Sequence, residues 1–256
     1  MSAPVREAPL TPTTLYKDKQ KSLHMQNPQQ KNFEQLAEAV RYYRWFADVV
    51  APWIGKRILD IGCGYGNVTA NFLDRSYVHG IDIERSYVDH IRARYSAKAN
   101  FLADLLDITD PASVAALKPY HFDTAIAFNV LEHIADDVRA ARHVHEILDP
   151  GGNFVLLVPA FTWLLSPYDK EVGHLRRYTK ETAAACMRRA GFDVVHAQYF
   201  NALGVLGWLW TYKLLKKNEP GRGAVRILEA LVPLLKRIEK TFSPPLGISV
   251  IVVGKK

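Results

Sequence analysis

The chain has 256 residues, of which 48% are hydrophobic and 23% charged, a composition typical of a globular protein with one sizeable core. No run reaches the roughly 18 apolar residues of a membrane span, and the N-terminal sequence lacks the apolar segment of a secretory signal. We therefore expect a cytoplasmic protein. Cys63 and Cys186 lie far apart, without His or Cys at ligand spacing, so the sequence supports neither a disulfide framework nor a zinc site.

The net charge of +7 is concentrated towards the C-terminal end. Residues 211–256 hold ten Lys or Arg and three Glu, whereas the preceding residues are balanced. A basic segment of this kind can meet phosphates, nucleic acid or an anionic membrane surface, and it can equally be a solvated surface. Both interpretations stay open at this stage.

The first half of the chain predicts an alternation of strands and helices. Residues 1–30 are polar and contain four prolines, which predicts a flexible N-terminal arm. From Gln30 to Val50 apolar residues recur every three or four positions, as in a helix packed on a core. The predicted strands are RILDIG, YVHGIDI, ANFLADL, FDTAIAFN and NFVLLVP, and helices are expected from Asn67, over 86–97 and over 136–148. This order is typical of an α/β fold with a parallel sheet.

The second half adds a helix, two strands and a long insertion. The helix follows Thr179, a suitable N-cap, and ends before Gly191. FDVVHAQYF is the next predicted strand, and the last strand, GISVIVVG, starts at Gly247. Residues 202–243 lie between them and are too many for an ordinary loop. We predict one domain over 31–256, in which 202–243 form a helical, aromatic lid over the substrate.

A glycine-rich turn follows the first strand. In the sequence ILDIGCGYG, Gly62, Gly64 and Gly66 allow a tight turn and a close approach of the backbone to a ligand. Asp82 ends the next strand, 22 positions after Asp60, where a carboxylate can accept both hydroxyls of a ribose. The Gly-x-Gly-x-Gly spacing differs from the Gly-x-Gly-x-x-Gly of dinucleotide-binding folds.

From about residue 30 to its end, the chain resembles the class I S-adenosylmethionine-dependent methyltransferases. The matching motifs are DIGCGYG, GIDIE, ADLLDI, FDTAIAFNVLEHI and LDPGGNFVLLVP, in that order. The resemblance implies a Rossmann-like sheet, mostly parallel with an antiparallel last strand and helices on both faces, and S-adenosyl-L-methionine as the cofactor. It also implies a set of cofactor-binding residues, namely Asp60, Gly62, Gly64, Gly66, Asp82, Ile83, Asp104, Leu105 and Asn129.

The stretch after the fifth strand, SPYDKEVGHLRRY, resembles a tract found in a bacterial subgroup of these enzymes that modifies small molecules, lipids or glycans. Glu171 and His174 are the candidate general bases in this tract. The arginines can donate to an anionic acceptor or close a loop over the cofactor as a salt-bridge latch. The candidate acceptor-binding residues are Arg176, Arg177, Tyr178 and, in the insertion, Trp210. Glu132 and His133 stay ambiguous, because their tract can simply begin a helix.

These features predict methyl transfer from S-adenosylmethionine to a small amphiphilic or anionic acceptor. One hypothesis is C-methylation of a prenyl diphosphate, with Mg²⁺ near Glu171 and Trp210 facing a carbocation. The alternatives are O- or N-methylation of a glycan, lipid or other natural product, RNA methylation, a nucleotide-binding dehydrogenase and a binding module without catalysis. We expect a small-molecule partner, no stable complex with nucleic acid, and peripheral membrane contact through the basic amphipathic helix of the insertion.

Overall fold

The computed structural model describes residues 39–214, 222–241 and 244–256, so the predicted N-terminal arm lies outside the described residues. The centre of the fold is a seven-stranded sheet in the order β3-β2-β1-β4-β5-β7-β6. The strands are β1 Arg57–Ile61, β2 Tyr77–Asp82, β3 Phe101–Leu105, β4 Phe122–Phe128, β5 Leu148–Pro159, β6 Asp193–Phe200 and β7 Ser249–Lys255. Strand β7 is antiparallel to both β5 and β6, whereas β1 to β5 are parallel. The predicted α/β fold with an antiparallel last strand is confirmed.

Helices cover both faces of this sheet. They are α1 Val40–Val50, α2 Arg85–Arg94, α3 Pro111–Leu117, α4 Asp137–Ile147, α5 Pro167–Glu171, α6 Lys180–Arg189, α7 Ala202–Trp208 and α8 Arg222–Thr241. Because both faces are covered, β1, β4 and the second half of β5 are almost continuously buried rather than alternately buried and exposed. One core lies on the α4 and α6 side and another on the α1 and α8 side.

Two local predictions differ from the structure. The helix expected from Asn67 is replaced by turns and a 3₁₀ segment, Thr69–Asn71. The Asn71 amide donates to the carbonyls of Asn67 and Val68, and this local bonding competes with a regular helix. Helix α3 was not predicted, although Asp110 caps it and Pro111 occupies its first position.

The described part of the insertion contains α7, a π-helical turn over Leu209–Leu214, and α8. Two glutamates of α8 tie it to the domain. Glu229 accepts hydrogen bonds from the backbone N–H groups of Arg41 and Tyr42 at the start of α1. Glu239 accepts from those of Asn201 and Ala202 at the start of α7. Within the described ranges, no helix is both long and apolar enough to cross a membrane.

Candidate active site

The carboxyl ends of the parallel strands open into a cavity of about 850 Å³. Ligands bind at this edge in open α/β sheets because the strand order reverses there. The cavity wall includes Gly62, Asp82, Asn129 and Pro159 from the strand ends, with Trp208 and Leu228 from the insertion. The ends of the sheet and the helices of the insertion therefore enclose the same space.

The glycine turn after β1 allows a ligand to lie close to the backbone. Gly62 has φ +67°, and a Cβ atom there would lie 2.5 Å from a methyl group of Val130, so any side chain would be strained. The Gly64 N–H donates to Asp82 Oδ2 at 3.0 Å, and the Glu84 N–H donates to Oδ1 at 3.0 Å. Burial raises the pKa of Asp82, although these backbone donors oppose the shift. Asp82 lies in the cavity wall at the predicted ribose position, beside Ile83.

Asp60 lies behind this turn rather than in the cavity wall. It is buried and accepts a 2.6 Å hydrogen bond from the Thr69 hydroxyl. Burial raises its pKa to about 7, the hydrogen bond from Thr69 opposes that shift, and the charge of Asp82 adds to it. Gly64 and Gly66 are likewise absent from the cavity wall. In this structure Asp60, Gly64 and Gly66 shape the turn, which places Gly62 and Asp82 in the cavity wall.

On the predicted adenine side, the structure separates two acids of the ADLLDI stretch. Asp104 lies 2.9 Å from His79 Nε2 and 2.8 Å from Arg92 Nη2, and with Leu105 it lines a neighbouring depression. Asp107, three residues further on, lies in the wall of the main cavity. Asn129 also lines that cavity, in the left-handed conformation with φ +54°. Asp107 is therefore a stronger candidate than Asp104 for a contact with adenine.

Two histidines at the inner wall of the cavity have a buried glutamate beside them. Glu132, His133 and His174 each offer one atom suited to binding a metal, and these atoms lie within 4.8 Å of one another. Glu132 is fully buried, and neither carboxylate oxygen has a hydrogen-bond partner among the described residues. Burial raises the pKa of Glu132 to about 8. Both histidines line the cavity, so the carboxylate–imidazole group borders the space open to a ligand.

Asp169 holds His174 and Arg177 in place from behind. This buried carboxylate accepts hydrogen bonds from His174 Nδ1 at 2.8 Å and from Arg177 Nε at 2.8 Å. Burial alone would raise the pKa of Asp169, but these hydrogen bonds and the charge of Arg177 outweigh it and hold the pKa at about 2. The Arg177 guanidinium lies 4.4 Å above the ring of Trp208, so the tract and the insertion are joined at the cavity wall.

The other predicted acceptor-site residues lie outside the cavity wall. Glu171 is exposed, and Trp210 is 61% exposed. Arg176 donates to the Ala135 carbonyl and pairs with Asp137, and the Tyr178 hydroxyl donates to the same carboxylate of Asp137. Arg176 therefore occupies the position of a latch between the tract and α4. Of the predicted acceptor-site residues, His174 and Arg177 line the cavity.

The cavity also contains residues that the sequence did not single out. Tyr42 and Tyr43 of α1, Tyr168 of α5 and Trp208 of α7 line it. Tyr42 and Tyr43 lie in a segment with the spacing of an ordinary packed helix, so no local signal separated them from core residues. For the other two a signal was present, because Tyr168 belongs to the SPYDKEVGHLRRY tract and Trp208 to the predicted aromatic lid. For Asp107 a signal was present, because it is the second acid of a stretch already assigned to the cofactor site.

The comparisons with known proteins agree with this geometry. Residues 24–197 match the family model described as "Methyltransferase domain". The ubiquinone biosynthesis O-methyltransferase of Neisseria meningitidis serogroup A is 27% identical over 166 residues, covering 58% of this chain and 68% of that protein. The polyketide synthase ThaG of Burkholderia thailandensis is 36% identical over 120 residues, which are 43% of this chain and 2% of the synthase.

Solved structures show the same fold at low identity. An S-adenosylmethionine-dependent methyltransferase from Mesorhizobium loti superposes with a TM-score of 0.55 at 19% identity, covering 84% of this chain and 98% of that one. A Haemonchus contortus phosphoethanolamine N-methyltransferase in complex with S-adenosyl-L-methionine gives a TM-score of 0.57 at 16% identity, covering 90% and 58% of the two chains.

The residues at the strand ends fit this cofactor. Asp82 offers a carboxylate for the ribose hydroxyls, and Gly62 leaves a backbone surface that a Cβ atom would fill. The match of the family model extends over more than half of the sequence. This chain therefore belongs to the methyltransferase domain family and is an S-adenosylmethionine-dependent methyltransferase.

Proposed function

We propose that the protein transfers the methyl group to a hydroxyl oxygen of a small acceptor with a large apolar part. The observation that carries this proposal is the cavity that joins the cofactor end, at Asp82 and Asn129, to His133 and His174, which have the buried Glu132 behind them. The cofactor supplies the electrophile, so the protein has to hold the acceptor in line and help the hydroxyl lose its proton. His133 and His174 are the wall residues that can do so, with Glu132 beside them.

The rest of the wall favours an amphiphilic acceptor. Tyr168, Trp208 and Leu228 line the cavity on the insertion side, where an apolar tail would be removed from water. Arg177 already pairs with the buried Asp169, so its charge is largely compensated. An acceptor with a hydroxylated head and an apolar tail matches this distribution. The curated relatives named as ubiquinone biosynthesis O-methyltransferases support the same assignment.

C-methylation of a prenyl diphosphate has less support. That chemistry was assigned to Glu171, Trp210 and the arginine pair. Glu171 and Trp210 are exposed and outside the cavity wall, and Arg176 pairs with Asp137. Of that set, Arg177 is the residue that lines the cavity. We therefore favour a neutral hydroxylated acceptor over a diphosphate, and a small molecule over nucleic acid.

The proposal is tested by release of S-adenosylhomocysteine with a panel of acceptors. The panel compares phenols and catechols with and without an alkyl tail, prenyl diphosphates, amines, a sugar and tRNA. We expect turnover of the hydroxylated aromatic acceptors, with KM falling as the tail lengthens. His174→Asn should abolish turnover and keep affinity for S-adenosylhomocysteine, and His121→Asn on the surface is the matched control. Turnover of a prenyl diphosphate or tRNA in place of hydroxylated acceptors would overturn the proposal.

A further inference from the structure

Glu132 is an unusual group in a protein interior. Its side chain is fully buried and both carboxylate oxygens lack a hydrogen-bond partner among the described residues. His174 Nε2 lies 3.8 Å from Oε1, beyond hydrogen-bond distance. Buried carboxylates are normally hydrogen-bonded or bound to a cation, because their desolvation is costly. Within the described ranges, the two oxygens are therefore free to bind a further ligand.

The neighbours of Glu132 define which ligand fits. We infer that Glu132, His133 and His174 bind a divalent first-row transition metal ion such as Zn²⁺. Their ligand atoms lie within 4.8 Å of one another. Metal–ligand bonds of about 2.0–2.2 Å place ligand atoms roughly 3–3.5 Å apart, so side-chain movements of about 1.5 Å would bring all three to a common ion. Two imidazoles with one carboxylate suit Zn²⁺, Mn²⁺ or Fe²⁺ better than Mg²⁺.

The surroundings of His174 match those of a metal ligand. Its Nδ1–H donates to Asp169 Oδ1 at 2.8 Å, which leaves Nε2 directed towards Glu132. A carboxylate behind a ligating histidine fixes its tautomer and ring orientation. Asp169 is itself held by the N–H and hydroxyl of Ser166. The third ligand is thus positioned by a buried network that exists without the ion.

The site also keeps a side open to a substrate. His133 and His174 line the cavity together with Asn129, at the cofactor end of the β4 strand. Three protein ligands with an open position are the pattern of catalytic metal sites. A metal-bound hydroxyl is more acidic than a free one, which suits the hydroxyl acceptor. This role rests on the proposed function, whereas metal binding itself does not. The site replaces the Mg²⁺ position expected near the exposed Glu171.

The test measures metal binding without any acceptor. Protein freed of metal by dialysis against EDTA is titrated with Co²⁺, and its visible d–d absorption is recorded, followed by displacement with Zn²⁺. We expect one Co²⁺ per chain. Glu132→Gln and His133→Asn should weaken binding at least tenfold, and Asp169→Asn about 10–100-fold. His121→Asn, on the surface beside Asp149, should bind as the wild type does.

The result that overturns the inference is a wild-type protein that binds no Co²⁺, or variants that bind it equally well. Far-UV circular dichroism and S-adenosylhomocysteine affinity establish that each variant is folded, and the two ligand variants are independent of each other. Metal binding without turnover of any hydroxylated acceptor would contradict the proposed function alone. Full turnover by metal-free protein that binds no Co²⁺ would contradict the metal site alone.

A separate observation concerns the outer surface of α8. Ile227, Leu231, Leu234 and Ile238 follow one another at spacings of four, three and four residues, so they form one stripe along the helix. Each is between 40% and 64% exposed. The buried side of the same helix is a different stripe, which includes Val225, Val232 and Leu235. Helix α8 therefore has a second apolar face that the part of the chain described by the structure leaves largely exposed.

The charges of α8 indicate what covers this face. Its two acids, Glu229 and Glu239, are bound to the starts of α1 and α7. Arg226 and Arg237 are exposed on the helix, on one flank of the stripe at 100° per residue, and Lys240 is exposed farther round the helix. An apolar stripe with a basic flank matches an anionic bilayer surface. We propose that the stripe inserts into the headgroup region of an anionic membrane, next to the cavity wall formed by Leu228.

Vesicle flotation tests this surface. We expect the full chain to bind vesicles containing phosphatidylglycerol, to bind phosphatidylcholine vesicles at least tenfold more weakly, and to lose binding as salt is raised. The double variant Leu231→Asp and Leu234→Asp should lose binding, whereas Val195→Asp, at another exposed apolar position, should keep it. Equal binding by the double variant would overturn the proposal. So would a dimer in light scattering that the double variant converts to a monomer, because a second copy would then cover the stripe.

Discussion

Replacing Asp169 by Asn should destabilise the protein more than the small change in shape suggests. Oδ1 accepts from His174 Nδ1 and Arg177 Nε, and Oδ2 accepts from the Ser166 N–H and hydroxyl, all at 2.8–2.9 Å. An amide has one acceptor oxygen and one NH₂ group. In either orientation of the amide, its NH₂ group faces N–H or O–H donors that had bonded to a carboxylate oxygen. Those donors then lose their acceptor.

The magnitude follows from burial. Both Asp169 and the Arg177 guanidinium are almost completely inaccessible to solvent. Removing one partner of such a buried pair leaves an uncompensated charge, which costs about 3–5 kcal/mol. For a chain of this size, 1 kcal/mol corresponds to a change in Tm of about 2–4 °C, so we expect a Tm lower by about 10 °C.

The assay is urea unfolding followed by circular dichroism, with metal-free protein. Asp149→Asn is the matched control, because Asp149 forms an exposed pair with His121 and exposed pairs contribute about 0–1 kcal/mol. If the free energy of unfolding falls by less than about 1 kcal/mol for Asp169→Asn, as in the control, the reasoning that Asp169 anchors His174 and Arg177 is refuted.

Three further predictions follow from other parts of the structure. Asp82→Asn should weaken S-adenosylhomocysteine binding about 10–100-fold, because hydrogen bonds to a charged group contribute about 1.5–3 kcal/mol; unchanged affinity in calorimetry would place the ribose elsewhere. Because the pKa of Asp60 is raised to about 7 by burial, the folded state holds a proton that the unfolded chain releases above about pH 4. The free energy of unfolding of the ligand-free protein should therefore fall as pH rises from 4 to 7, and Asp60→Asn should flatten that slope; identical slopes in urea unfolding would contradict this. Glu239→Ala should cost about 1–2 kcal/mol by uncapping α7, whereas Glu146→Ala, at an exposed pair with Lys118, should have little effect on the melting curve.

The main features of the fold were predictable from local pattern. Continuous apolar runs separated by helical stretches predicted the parallel sheet, and the Thr179 cap predicted the start of α6, where the structure has a capping box. The order of the motifs also predicted the cofactor, since Asp82 and the glycine turn are contiguous with the strands that position them. These features depend on neighbours in sequence, so the sequence contains the information directly.

The inner wall of the cavity depends on contacts distant in sequence. Glu132 and His133 follow β4, whereas His174 follows α5, and the backbone bond from the Leu175 N–H to the Glu132 carbonyl brings the two stretches together. Glu171 and His174 looked equivalent in sequence, yet α5 leaves Glu171 exposed and directs His174 to the cavity. The sequence by itself determined the sheet, the cofactor and the tract beside it. Only the tertiary structure decided which side chains of that tract are desolvated together, because burial depends on packing between elements and not on spacing within one.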